Sequence, residues 1–314
     1  MPSNEIQKLL TDFLNYLEIE RGRSLYTIKN YEFYLTRFIK WSKITSPAKI
    51  DMDLVREFRL WLNRLSRKDR TLKKSTQNYH LIALRAFLKY LTIRDIKTMA
   101  PEKIELAKMP QRQVEFLEGS DLERLLTAPL QTDDKKIIQT RDKAILELFF
   151  STGLRVSELA SIKRENVNFK KDEFTIRGKG SKLRIVFMSN QAKHWVKEYL
   201  NKRSDPTEWL FIRHDKAKRS SENKGKHTEG LTPRSIQRLV QKYTKRAGIT
   251  KHVSPHTLRH SFATDLLKGG ADIREVQAML GHASITTTQV YTHITDKHLS
   301  EIHKKYHGKS IEDK

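Results

Sequence analysis

Residues 254–293 carry the side chains of this chain whose types and spacing best suit chemistry. Ser254-Pro255 reads as a helix start, and it places His256 and Arg259 in the first turn, three residues apart and on one face. Leu258, Phe262, Ala263 and Leu266 mark the buried side. Free backbone N–H groups and the positive end of the helix dipole favour an anion at such a start. Gly269-Gly270 ends that helix. Asp272 and Glu275 open a second, which stops at Leu280-Gly281, and His282 follows at once in a turn. Tyr291 comes nine residues later, in the polar stretch TTTQVYTH. The rival reading is a metal centre, because His256 and His260 stand four apart, as zinc ligands do on a helix, with His282 and His293 to complete a set. The hydrolase form of that motif needs Glu after the first His, and Thr257 stands there. The anion reading is preferred, and no metal is expected.

Composition agrees with an anionic ligand. Among 314 residues, 61 Lys and Arg oppose 37 Asp and Glu, giving a net charge of +24 and a pI near 10.0. That excess goes beyond what solubility needs and points to a polyanionic partner. Residues 1–110 hold 22 basic and 12 acidic side chains, so both halves of the chain are basic, as expected of a duplex gripped from two sides. The absence of cysteine excludes disulfide scaffolds, thiolate metal sites, iron–sulfur clusters and thiol catalysis. The N-terminal MPSNEIQKLLTDF is amphipathic rather than a basic segment followed by an apolar core. No stretch has the apolar length of a membrane span. The expectation is a cytoplasmic protein.

The elements that must position these residues fall into two groups. Residues 1–97 read as four helices: Ile6 to Leu17, a second after Ser24, a third after Asp51 and a fourth capped by Ser75, each with an apolar stripe at three- and four-residue spacing. A basic run, Arg64 to Lys74, lies between the third and fourth. Residues 98–115 hold two prolines and read as a linker, and 116–314 form the second domain. There Ser120 and Glu123 form a capping box, and a buried helix over Thr140 to Phe150 ends at Gly153. The period changes to two at Glu173. Phe174 and Ile176, facing Ile185 and Phe187, predict a β-hairpin whose basic tip is Lys179-Gly180-Ser181-Lys182. Helices return at Gln191 to Leu200 and Pro233 to Ala247, with the polar stretch His214 to Gly230 between them. The fold class is mainly α with a small β-sheet.

GLRVSEL at 153–159, HTLRH at 256–260, LGHAS at 280–284 and the later VYTH resemble the boxes of the tyrosine recombinases, nearest the Xer and phage-integrase branch. The likeness covers the second domain, and the four-helix region resembles the family's core-binding domain. It implies that Arg155, Lys179, His256, Arg259 and His282 act around a nucleophilic Tyr291, with Lys182 competing with Lys179 for the hairpin role. It also implies site-specific recombination of double-stranded DNA by four protomers, all alike or two with two of a paralogue, on nucleoid DNA. A C-terminal helix, carrying Leu299, Ile302 and Tyr306, would then dock in a neighbour.

The residue types suit that chemistry. A phenol can stay bonded to phosphorus and conserve bond energy, but its ordinary pKa near 10 requires help in losing its proton. Two arginines present paired donors to a charged transition state, a lysine can protonate the leaving 5′ oxygen, and histidines can donate to phosphate oxygens. With so many cations no cofactor is expected. Glu158, three residues after Arg155, is expected to orient it. A type IB topoisomerase, which shares this chemistry, and a DNA-binding protein without catalysis are the alternatives.

Overall fold

The computed structural model describes residues 5–67, 70–109, 115–178, 183–214 and 230–281. The chain divides into two compact units, Met1–Arg112 and Gln113–Lys314, each with its own core. Among the described residues no helix is long and apolar enough to cross a membrane.

The first unit contains α1 (Glu5–Ile19), α2 (Leu25–Ser42), α3 (Met52–Arg64) and α4 (Lys74–Ile93). Each helix turns one apolar stripe inward, and Phe13, Phe38, Phe58 and Phe87 are fully buried at the centre. Ser24 and Asp51 cap α2 and α3 by accepting from Thr27 N and Leu54 N. The fourth helix starts at Lys74, not after Ser75, and no side chain caps it. Between α3 and α4 the basic run makes a small antiparallel pair, β1 (Ser66–Arg67) and β2 (Arg70–Thr71). After α4 the chain stays packed on this unit as far as residue 107. Pro101 opens a short 3₁₀ turn, Ile104 is buried in the core, and Asn78 exchanges two hydrogen bonds with the backbone of Ala107.

The second unit is built round α6 (Lys136–Thr152), which is buried on nearly every side. Such a helix must be covered all round. The elements before α8 are α5 (Gly119–Thr127), α7 (Val156–Ala160) and the antiparallel sheet β3 (Val167–Asn168), β4 (Glu173–Arg177) and β5 (Leu183–Phe187), in that order across the sheet. After them come α8 (Asn190–Asn201), α9 (Pro233–Arg246), α10 (Pro255–Lys268) and α11 (Ile273–Leu280). Asp142 on α6 is buried between Arg141, which donates at 2.7 Å, and the hydroxyl of Tyr243, which donates at 2.8 Å. The predicted capping box at Ser120 is absent, because α5 begins at Gly119 with Glu118 as its unbonded cap.

The hairpin forms, but one residue out of the expected register. Phe174 pairs with Val186 and Ile176 with Arg184, so Val186 and Met188 join the core while Ile185 and Phe187 stay on the outer face, each about half exposed. A one-residue slip exchanges the two faces of a strand, and apolar residues on both faces of β5 hide the slip from pattern alone.

Candidate active site

Helix α6 ends in a left-handed Gly153 (φ +58°), which turns the chain so that Arg155 becomes the N-cap of α7. Helix α10 starts where the capping residues predict. Ser254 Oγ accepts from Thr257 N, and Thr257 Oγ1 accepts from Ser254 N at 3.1 Å. Thr257, the residue at odds with a zinc hydrolase motif, is thus half of a capping box. Helix α11 opens on Asp272, boxed with Glu275, and ends in left-handed Gly281 (φ +63°).

These three turns meet. Arg259 is 4% exposed and points inward, not out with the exposed His256. Its Nη1 donates to Gly153 O and its Nη2 to Leu280 O, both at 2.6 Å. Both acceptors lie at helix C-terminal ends, where carbonyls lack intrahelical partners and the dipole favours a cation. Gly153 and Leu280 therefore complete their own helix ends by holding this guanidinium. Arg155 Nη2 donates to the next carbonyl, Gly281 O, at 3.2 Å. Segments 153–155, 259 and 280–281 thus become one locus.

Glu158 organises the other side of Arg155. Its Oε2 accepts from the Arg155 backbone N at 2.8 Å and its Oε1 from Arg155 Nη1 at 2.7 Å. Arg184 of β5 donates to both oxygens, Nη1 to Oε1 at 3.0 Å and Nη2 to Oε2 at 2.9 Å. Burial would raise the pKa of this carboxyl, but the bonds from Arg184 and Arg155 more than offset it and hold the group below its ordinary value. Arg184 is the residue that pattern reading missed. Its signal is its place on the inward face of β5 with Val186, where an arginine requires an acceptor.

Both terminal glycines are required by space as well as by φ. A Cβ on Gly153 would lie 2.4 Å from Phe262 Cδ1, and one on Gly281 would lie 2.8 Å from Arg184 Nη1. Of the six residues expected to act, the structure brings Arg155 and Arg259 onto adjacent carbonyls, with His256 one turn before Arg259. Lys179, with its competitor Lys182, and His282 and Tyr291 lie outside the described residues, though His282 is next in sequence to Gly281. Among the described residues no cluster of three His, Asp or Glu side chains could hold a metal ion.

The comparisons give these turns a family. Residues 115–298 match the phage integrase family, and residues 10–95 match the phage integrase N-terminal SAM-like domain. The chain is 37% identical over 308 residues to the tyrosine recombinase XerC of Thermodesulfovibrio yellowstonii, covering 98% of each chain. It is 36% identical to the tyrosine recombinase XerD of Lacticaseibacillus casei, covering 95% of this chain and 98% of that one. Among solved structures, the XerA recombinase aligns over 96% of this chain and 99% of its own at 31% identity and a TM-score of 0.51. XerH recombinase in a post-cleavage complex with a palindromic difH substrate shares the fold, with 24% identity, a TM-score of 0.70, and 94% and 84% of the chains covered. The chain belongs to the phage integrase family and is a tyrosine recombinase of the Xer type.

Proposed function

We propose that this chain is a site-specific recombinase that cuts and rejoins double-stranded DNA through a 3′-phosphotyrosyl intermediate on Tyr291 and a Holliday junction, with four protomers on two sites. The four are identical or include a paralogue, and they work on nucleoid DNA in the cytoplasm. The observation that carries the reading is the meeting of Arg155 and Arg259 on the carbonyls of Gly153, Leu280 and Gly281, directly before His282. Two guanidiniums fixed side by side suit the non-bridging oxygens of one phosphate, where charge grows in the transition state.

In this reading His256, exposed at the start of α10, and His282 donate to phosphate oxygens, and His256 can relay the tyrosine proton. Lys179 protonates the departing 5′ oxygen. The chain's own cations carry the charge, so neither metal nor ATP has a role. Residues 1–97 are a core-binding domain, 98–115 join it to the catalytic domain, and 116–314 hold the chemistry and a C-terminal helix exchanged between protomers. The DNA-bound recombinase relatives and the basic charge of both halves support a duplex as partner.

A duplex nicked beside the cleavage point loses the strand end needed for religation and so traps the adduct. Wild-type protein should accumulate a covalent adduct on such a duplex, and Tyr291→Phe should bind the DNA and form none. An adduct at wild-type level with Tyr291→Phe would refute the assignment. Relaxation of a plasmid without exchange between two sites would indicate the topoisomerase alternative.

A further inference from the structure

The Glu158 carboxylate holds more positive charge than orienting Arg155 requires. Resting on the function proposed above, we propose that Arg184 is a positioning residue of this active site: it saturates Glu158, so that Arg155 keeps its outer donors and net positive charge for the scissile phosphate.

A carboxylate has about four acceptor positions. Arg155 fills two of them, through its backbone N and Nη1, and Arg184 fills the other two. Exposure is graded across the trio: the side chains of Glu158, Arg184 and Arg155 are 5%, 11% and 28% exposed. Only Arg155 faces outward to an appreciable degree. Without Arg184, the buried carboxylate would carry two empty acceptor positions beside the one remaining cation. It would draw further Arg155 donors off Gly281 O or take up a proton, and an isolated Arg155–Glu158 pair has no net charge. With Arg184 the trio carries +1.

The placement is specific to these residues. Arg184 packs so close to Gly281 that a Cβ there would meet its Nη1 at 2.8 Å and its Cδ at 2.9 Å, and the carbonyl of that same glycine receives Arg155 Nη2. The Arg184 Nε is buried and finds no acceptor among the described residues, so the side chain is aimed by its two terminal nitrogens. Lys163 and Glu165 line the cavity next to Glu158, and Lys163 is paired with Glu208 at 2.8 Å.

The full-length chain tests this with Arg184→Lys, Arg184→Met, Glu158→Gln and the double variant Arg184→Met/Glu158→Gln. Two readouts are taken: adduct formation on saturating nicked duplex from acid to neutral pH, and NMR titration of the Glu158 carboxyl with the Arg155 guanidinium signal. Arg184→Met should slow adduct formation roughly 10- to 100-fold with DNA affinity little changed, the size found when the partner behind a metal ligand is lost and carried over here to a phosphate-binding arginine. Arg184→Lys should recover part of the loss. Because the Glu158 pKa rises when Arg184 is lost, the acid side of the rate profile should move to higher pH.

In the Glu158→Gln background, adding Arg184→Met should cost little more, since its target is gone; this neutral pair also guards against a folding defect. Additive losses, or an unmoved Glu158 titration in Arg184→Met, would overturn the proposal. The NMR arm needs no turnover. If the wild type formed no adduct, the recombinase reading would fail, while the titration and the Arg155 signal would still decide whether Arg184 governs the pair.

Discussion

Gly153→Ala tests how tightly the fold and the arginine seat are joined. Alanine must adopt φ +58°, which costs about 1 kcal/mol for an L-residue. Its Cβ would also stand 2.4 and 2.9 Å from Phe262 Cδ1 and Cε1 and 3.1 Å from Leu280 Cδ2. Both neighbours are buried, so the ring has little room to retreat. Overpacking of this kind costs about 1–3 kcal/mol, and with the backbone strain a loss of about 3 kcal/mol is expected. For a unit of about 200 residues that is a fall in Tm of about 6–12 °C. Gly248→Ala is the matched control. It has φ +65° but nothing within 4 Å of the added Cβ, so only the strain remains, with a fall of about 2–4 °C. Calorimetry of both variants isolates the contacts with Phe262 and Leu280 by difference. Phe262 lies three residues after Arg259 on α10, and Gly153 O is the Arg259 acceptor. Gly153→Ala should therefore also slow adduct formation at a temperature where both variants are folded, and Gly248→Ala should not. Equal falls in Tm would refute the packing argument. A normal cleavage rate in a destabilised Gly153→Ala would refute the link between this turn and the arginine seat.

Lys179→Ala should cleave an ordinary strand slowly but a strand with a 5′-bridging sulfur at close to the wild-type rate, because a thiolate leaves without a proton; rescue of Lys182→Ala instead would move the role to Lys182. DNA binding by the whole chain should fall steeply with salt, and the fragment Gln113–Lys314 should show a shallower slope in the same filter or anisotropy assay, since each half brings its own cations. The carboxyls of Glu158 and of Asp205, which Arg203 and Thr207 hold well below the carboxylate range, are depressed in the folded chain. Their stabilisation is present above the unfolded carboxylate pKa and lost as pH falls through the folded values, so Asp205→Asn should flatten the acid side of a Tm-against-pH curve.

How legible these features were depends on what holds each one. Helix starts at the cap Ser254 and at Asp272 with Glu275 could be read directly because the capping residues stand next to the helix in sequence, whereas the part of Thr257 in the first box shows only in the structure. Left-handed stops at Gly153 and Gly281 were equally plain. Features held by distant partners were not. The prolines at 101 and 110 give no sign that Ile104 is buried, or that Asn78 in α4 holds the backbone of Ala107. The hairpin register was ambiguous because Leu183, Ile185 and Phe187 make the exposed face of β5 as apolar as its buried one. Arg259 was expected to face outward with His256. It turns in because its acceptors are main-chain carbonyls, which leave no mark on the side-chain pattern.

In the proposed reaction the two arginines solve one electrostatic problem in different ways. A guanidinium that must meet phosphate cannot be fixed by a carboxylate alone, because the pair is neutral and the anion would find no attraction. At Arg259 the acceptors seen at 2.6 Å are carbonyls of Gly153 and Leu280, which position the cation without cancelling its charge. At Arg155 a full carboxylate does the positioning, and a second guanidinium from β5 restores the positive balance. Both solutions converge on Leu280 and Gly281, so any change that shifts the end of α11 should disturb both arginines together. A substitution confined to the hairpin side of Glu158 should instead reach Arg155 alone.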